Sequence, residues 1–126
     1  MTLHRPLAAA AVLLALAAPA FAAGDAARGA ESFKNDCAAC HTVVQGGPNR
    51  VGPNLFGVLG AKAGEGRGGF HFSPAMARSG LTWDEATLIR YLQAPRRVVP
   101  GTSMSFQGVD VAAEAADIVA YLATMK

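Results

Sequence analysis

The spacing of apolar residues divides this chain into segments of different kinds. From Leu7 to Ala18 every residue is apolar, a run too short for a membrane span, which needs about 20 residues. Arg5 precedes it, and Ala20-Phe21-Ala22 follows with small residues at the positions a signal peptidase reads. Residues 1–22 are therefore expected to be a cleaved secretory signal peptide and residues 23–126 a single mature domain, with retention as a membrane anchor as the alternative. Helical periodicity begins after this leader. Gly29 and Phe33 stand four apart and Cys37 continues their face, which predicts a first helix from Gly24-Asp25 to about Asp36. The period then vanishes: nine of the fourteen glycines fall between Thr42 and Gly69, together with Pro48 and Pro53. A loop of this length is ordinarily organised by a ligand. Ser73-Pro74 and Gly80 bracket one short helix, and Thr82-Trp83-Asp84-Glu85 reads as a capping box for the next. In that second helix Leu88, Ile89 and Leu92 form the apolar stripe, and Pro95 stops it at about Ala94. Val111, Ala115, Ile118 and Leu122 alternate steps of four and three, predicting a last helix from about Val111 to Met125, with Glu114 and Asp117 suited to its N-terminal half. The pattern is that of an all-α domain of about four to five helices.

The chemistry is concentrated at Cys37-Ala38-Ala39-Cys40-His41. Two thiols three residues apart with a histidine directly behind them read as a c-type haem attachment site, because residues three and four apart share a helix face and can address one flat ligand. A zinc site would need further ligands, yet the chain has two cysteines, and its other histidines are His4 and His71. Thiol-disulfide exchange would place the motif at a strand-to-helix junction, and no strand precedes Cys37. A structural disulfide is the remaining alternative, which export would permit. Gly64-Glu65-Gly66-Arg67-Gly68-Gly69 formally matches a dinucleotide fingerprint, but the βαβ unit that gives such a run its meaning is missing around it.

Composition adds exclusions. The precursor carries 11 basic and 9 acidic residues, and loss of Arg5 leaves 10 against 9, a formal net charge of +1. A nucleic-acid binder would be far more basic. A mature chain this short buries a limited share of its surface, so a covalently held macrocycle at its centre would couple folding to attachment.

The second iron ligand separates electron transfer from catalysis or gas sensing. Met1 leaves with the leader, Met125 lies at the C-terminus, and Met76 sits in the short helix, where a core role is the simpler reading. Met104 lies in Pro100-Gly101-Thr102-Ser103-Met104-Ser105-Phe106, outside any helical period, where a thioether could point inward from a loop or fill a hydrophobic gap.

Taken in order, five motifs resemble the class I cytochromes c, close to the cytochrome c2 and mitochondrial cytochrome c group: Gly24-Asp25 with Gly29, Phe33 and Cys-x-x-Cys-His; Val51-Gly52-Pro53-Asn54-Leu55-Phe56-Gly57; Leu81-Thr82-Trp83 with Tyr91-Leu92; Pro100-Gly101-Thr102-x-Met104-x-Phe106; and Ile118 with Tyr121-Leu122. The resemblance covers nearly the whole mature chain. It implies a cytochrome c fold with crossing N- and C-terminal helices, in which Gly29 and Phe33 pack on Ile118 and Tyr121. It implies one haem c bound through Cys37 and Cys40, with His41 and Met104 on the iron. Pro53 would accept a hydrogen bond from the His41 ring, Tyr91 would approach the Met104 sulfur, and the Trp83 indole would reach a haem propionate.

A periplasmic electron shuttle follows, since two protein ligands leave the iron no open position for a substrate. A haem enzyme or gas sensor whose Met104 bond opens, and a membrane-tethered haem domain, are the alternatives. Redox protein partners are expected, docked by Arg96 and Arg97 with Arg50 and Lys62 as weaker candidates. No nucleic acid, permanent membrane span or obligatory second copy is expected. Phe72, Met76 and Ala61 replace polar residues usual in the family near the propionates and the methionine, and Arg67 or Arg78 is the candidate to compensate.

Overall fold

The computed structural model describes residues 24–126, and the leader expected over residues 1–22 lies outside them. The described residues form α1 (Ala26–Asp36), α2 (Pro74–Ala77), α3 (Glu85–Gln93), α4 (Pro95–Val98) and α5 (Ala112–Ala123), with a 3-10 turn at Arg67–Gly69. Extended pairing among them is limited to an isolated antiparallel bridge between Lys62 and Thr82. No described helix is long and apolar enough to cross a membrane.

The Asp25 side chain opens α1 by accepting from the Arg28 backbone N–H at 2.9 Å, which satisfies one of the donors a helix start leaves free. The face that α1 buries is Gly29 and Phe33. Against it lies α5, and the two cross tightly because Gly29 carries no side chain: a Cβ there would overlap the Asp117 carbonyl and lie 2.9 Å from the Tyr121 Cβ. Phe33 meets Tyr121 with ring centroids 5.5 Å apart and planes at 55°. Ile118 and Leu122 are buried in the same core, which Leu88 and Leu92 of α3 complete. Each such side chain withdrawn from water contributes about 1.5–3 kcal/mol before chain entropy is set against it.

Asp117 does more than compensate the α5 dipole. It turns to the buried face, where the Asp25 backbone N–H donates to Oδ1 at 2.6 Å and Arg28 Nε donates to Oδ2 at 3.0 Å. The Arg28 hydrogen bond, followed by that of the Asp25 amide, holds the Asp117 carboxyl below the usual carboxylate range. A carboxylate whose folded pKa is depressed stabilises the native state fully above its unfolded pKa, and the contribution is lost as pH falls through the folded one. The stability gap between the wild-type protein and Asp117→Asn is accordingly expected to be full above about pH 4 and to close below it, as read by urea unfolding over a pH series.

Two helix boundaries differ from the sequence reading. Thr82 is engaged in the bridge with Lys62, and the α3 cap is Asp84, which accepts from the Thr87 N–H at 2.8 Å. The expected box starting at Thr82 is thus shifted by two residues, because a tertiary pairing claims Thr82 first. Pro95 ends α3 as expected but also occupies the first turn of a further short helix, α4. A helix start tolerates proline because the N–H it lacks has no partner there. Ser73 caps α2 by accepting from the Met76 N–H at 3.1 Å.

Candidate functional site

Cys37 is the C-cap of α1, its N–H reaching the Phe33 carbonyl at 2.8 Å. The Ala38 N–H reaches the same carbonyl at 2.9 Å, and the Cys40 and His41 N–H groups both reach the Cys37 carbonyl, at 3.1 and 3.0 Å. The motif is therefore a set of tight turns following the helix, not a further turn of it. The shared face survives, since Cys37, Cys40 and His41 line one cavity of about 360 Å³. Both cysteines are free thiols, Cys37 buried and Cys40 exposed. Burial, with smaller contributions from the charges of Asp36, Cys40 and Glu114, pushes the Cys37 thiol up to about 12, so it stays protonated.

The His41 ring is fixed on two sides. Its Nδ1–H donates to the Pro53 carbonyl at 2.8 Å, and the ring lies against Gly52, where a Cβ would overlap Cε1 and stand 2.7 Å from Nδ1. Burial lowers the His41 pKa, with the Pro53 bond opposing, which favours the neutral ring. With the proton on Nδ1, Nε2 keeps its lone pair, the form of imidazole that binds a metal.

Met104 contributes a thioether to the same cavity. The Tyr91 hydroxyl donates to the Met104 Sδ at 3.5 Å and shares a hydrogen bond of 2.9 Å with Thr102 Oγ1. Burial raises the Tyr91 pKa, so the phenol remains a donor. Trp83 packs on Tyr91 with centroids 4.9 Å apart and planes at 48°. Thr102 was not singled out by its sequence, though a hydroxyl two residues before Met104 was the available signal; its Oγ1 also accepts from the Met104 N–H at 3.4 Å.

The structure thus brings Cys37, Cys40, His41, Pro53, Trp83, Tyr91 and Met104 around one space, walled by apolar side chains that include Leu55, Val58, Phe72, Leu88, Leu92 and Phe106. Its volume is that of a cofactor pocket. Met76 is both core and cavity wall, whereas His71 and Met125 do not reach the lining. Of the two arginines expected to compensate, Arg67 lines the cavity and Arg78 does not. The guanidinium of Arg67 is engaged with backbone carbonyls, donating to Phe56 at 2.6 Å and to Asn54 and Gly57 at 3.4 Å. Among the described residues no three or more His, Cys, Asp or Glu side chains gather as an ion site. The glycine-rich run forms a 3-10 turn at Arg67–Gly69, and no strand leads into it.

The sequence model of the family described as Cytochrome c matches residues 26–126. A cytochrome c2 of Rhodomicrobium vannielii is 50% identical over 111 residues, 88% of this chain and 87% of that one. A cytochrome c homolog of Bradyrhizobium diazoefficiens is 50% identical over 95 residues, 75% of this chain, which spans about half (51%) of that relative. Among solved structures, cytochrome cH from Methylobacterium extorquens superposes with a TM-score of 0.76 at 50% identity, covering 80% of this chain and 99% of that one. A helical frame built around paired thiols, joined to likeness of this extent over nearly every described residue, places the chain in the class I cytochrome c family, whose members carry electrons on haem and are not enzymes.

Proposed function

We propose that this protein is a periplasmic single-haem electron shuttle in which Cys37 and Cys40 would form the two thioether bonds to haem c and His41 and Met104 would ligate its iron. The observation that carries this reading is one apolar cavity with two thiols, a neutral imidazole and a thioether in its lining. That donor set fits the group: sulfur for covalent attachment, nitrogen and sulfur for iron, and hydrocarbon for the ring faces. When bound, haem supplies a one-electron ferric/ferrous couple.

The chain's own residues set the terms of that exchange. Pro53 orients the His41 ring and, by drawing on its Nδ1–H, increases the basicity of Nε2. Tyr91 and Thr102 orient the Met104 sulfur, which as a soft ligand would favour ferrous iron and raise the potential. Trp83, packed on Tyr91, would offer its indole N–H to a haem propionate. With His41 and Met104 holding the iron, no open position would be left for a substrate, and the apolar walls of the cavity would keep water away from it. Arg96 and Arg97 are exposed on α4, ahead of the Met104 loop, and are the cations proposed to meet acidic redox partners in brief, salt-sensitive encounters. The leader expected over residues 1–22 from its sequence supports the periplasmic assignment, as does the likeness to bacterial cytochromes c2.

Absorption spectra of the exported protein test the proposal. The expected ferric form is low-spin with a weak sulfur-to-iron band, and its pigment stays with the protein in acid-acetone. Release of the pigment, or absence of that band, would overturn it.

A further inference from the structure

The Pro53 carbonyl that meets His41 belongs to a peptide group held at both ends. The other end is the Asn54 N–H, which donates to the Asn49 Oδ1 at 2.9 Å. The same Asn49 amide donates through Nδ2 to the Arg67 carbonyl at 2.7 Å and to that of Gly68 at 3.3 Å. A continuous chain therefore runs from the Arg67 carbonyl through the Asn49 side chain and the Pro53–Asn54 peptide to the His41 ring. In such a chain each bond polarises the next, since an amide whose N–H donates gains electron density and becomes a stronger acceptor at its carbonyl.

Arg67 is held to this position at both ends of its residue. Its guanidinium grips the carbonyls of Asn54, Phe56 and Gly57, immediately beyond the Pro53 peptide, while its own carbonyl receives Asn49. It is also the only described non-glycine residue with positive φ, at 56°, although it stands in a run of glycines that would adopt that conformation without cost. Strain retained at such a site indicates that the side chain is needed there.

We propose that Asn49, anchored on the Arg67 carbonyl, is a positioning residue for His41: it sets the direction and polarity of the Pro53 carbonyl and, through it, how strongly the imidazole donates to haem iron. The inference rests on His41 as an iron ligand. Removing the relay weakens the pull on Nδ1–H, makes Nε2 a poorer donor, destabilises the ferric form and raises the reduction potential.

The test compares Asn49→Ala with the wild-type haem protein by NMR of the ferrous state and by equilibrium redox titration. The expected result is an upfield shift and about tenfold faster exchange of the His41 Nδ1–H, with an about threefold shift of the ferric/ferrous equilibrium towards ferrous iron, or about 28 mV at 59 mV per tenfold. A purely structural role for Asn49 would lower the unfolding midpoint and leave the His41 signal and the potential unmoved, and that result overturns the proposal. If Asn49→Ala yields no folded haem protein, Asn49→Gln decides: its amide keeps both donor and acceptor but, one methylene longer, holds the Asn54 N–H less directly and is expected to move the His41 Nδ1–H upfield, whereas an unchanged signal rejects the relay. A wild-type protein without a histidine-ligated low-spin spectrum would instead refute the ligand assignment beneath it, so the two failures are distinguishable.

Discussion

Met104→Ala is expected to convert a closed carrier into a protein that binds external ligands. In the wild type the thioether is held towards the cavity by the Tyr91 hydroxyl at 3.5 Å, itself steadied by Thr102 at 2.9 Å. Alanine cannot span that distance, and water or an added anion would take the vacated place. The ferric variant should take up cyanide rapidly, where the wild type takes it up slowly or not at all. Loss of the soft sulfur removes the preference for ferrous iron, so the potential should fall by about 0.2 V, a fraction of the roughly 0.8 V that axial ligands command. At 59 mV per tenfold for one electron, that is roughly three orders of magnitude in the redox equilibrium. Stability should fall by about 2 kcal/mol, the low end for truncating a methionine, since Met104 is only half-buried. Spectroscopic redox titration with cyanide binding reads the first two effects. A variant that keeps the wild-type potential and resists cyanide would show that Met104 fills a gap and nothing more, and would return the ligand question to the remaining side chains of the cavity.

Gly29→Ala should produce a large loss of stability from a single methyl group. The added Cβ meets the Asp117 carbonyl, a backbone atom in the middle of α5, and the Tyr121 Cβ at 2.9 Å. Neither is the far end of a flexible side chain, so relief requires the two helices to separate. Separation would loosen Phe33 against Tyr121 and stretch the Asp25 and Arg28 bonds to Asp117. Overpacking of this kind costs about 3 kcal/mol, equivalent to roughly 15 °C in Tm for a domain of this size. Thermal unfolding of the holoprotein followed by circular dichroism measures it. A Tm within about 3 °C of wild type would mean that the crossing gives way easily, and that the closeness at Gly29 is incidental to stability.

Legibility in the sequence followed the range of the interaction concerned. The thiols and the histidine of the haem motif lie within five consecutive residues, and the helices announced themselves through spacing and caps at Asp25 and Ser73. Those signals are local, so neighbouring residues suffice to carry them. Thr82 shows where local reasoning ends: its capping pattern was sound, but Lys62, twenty residues earlier in the chain, pairs with it and moves the cap to Asp84. Met104 shows the same limit at the site. Spacing left it open between ligand and gap-filler; the resemblance named it, and its position beside Tyr91 comes from packing between a helix and a loop.

By itself, then, the sequence determined an all-α domain, the placing of two thiols and a histidine within five residues at Cys37, Cys40 and His41, and the order of the helices around them. The tertiary structure alone decided that Asp117 ties α5 to α1 across 92 and 89 residues, that Thr102 steadies Tyr91, and that Asn49 links the Arg67 carbonyl to the peptide facing His41. The reason is physical: periodicity and caps record what each residue does for its own turn, whereas a hydrogen bond between distant segments exists only once burial has brought them together and left a polar group with one partner in reach.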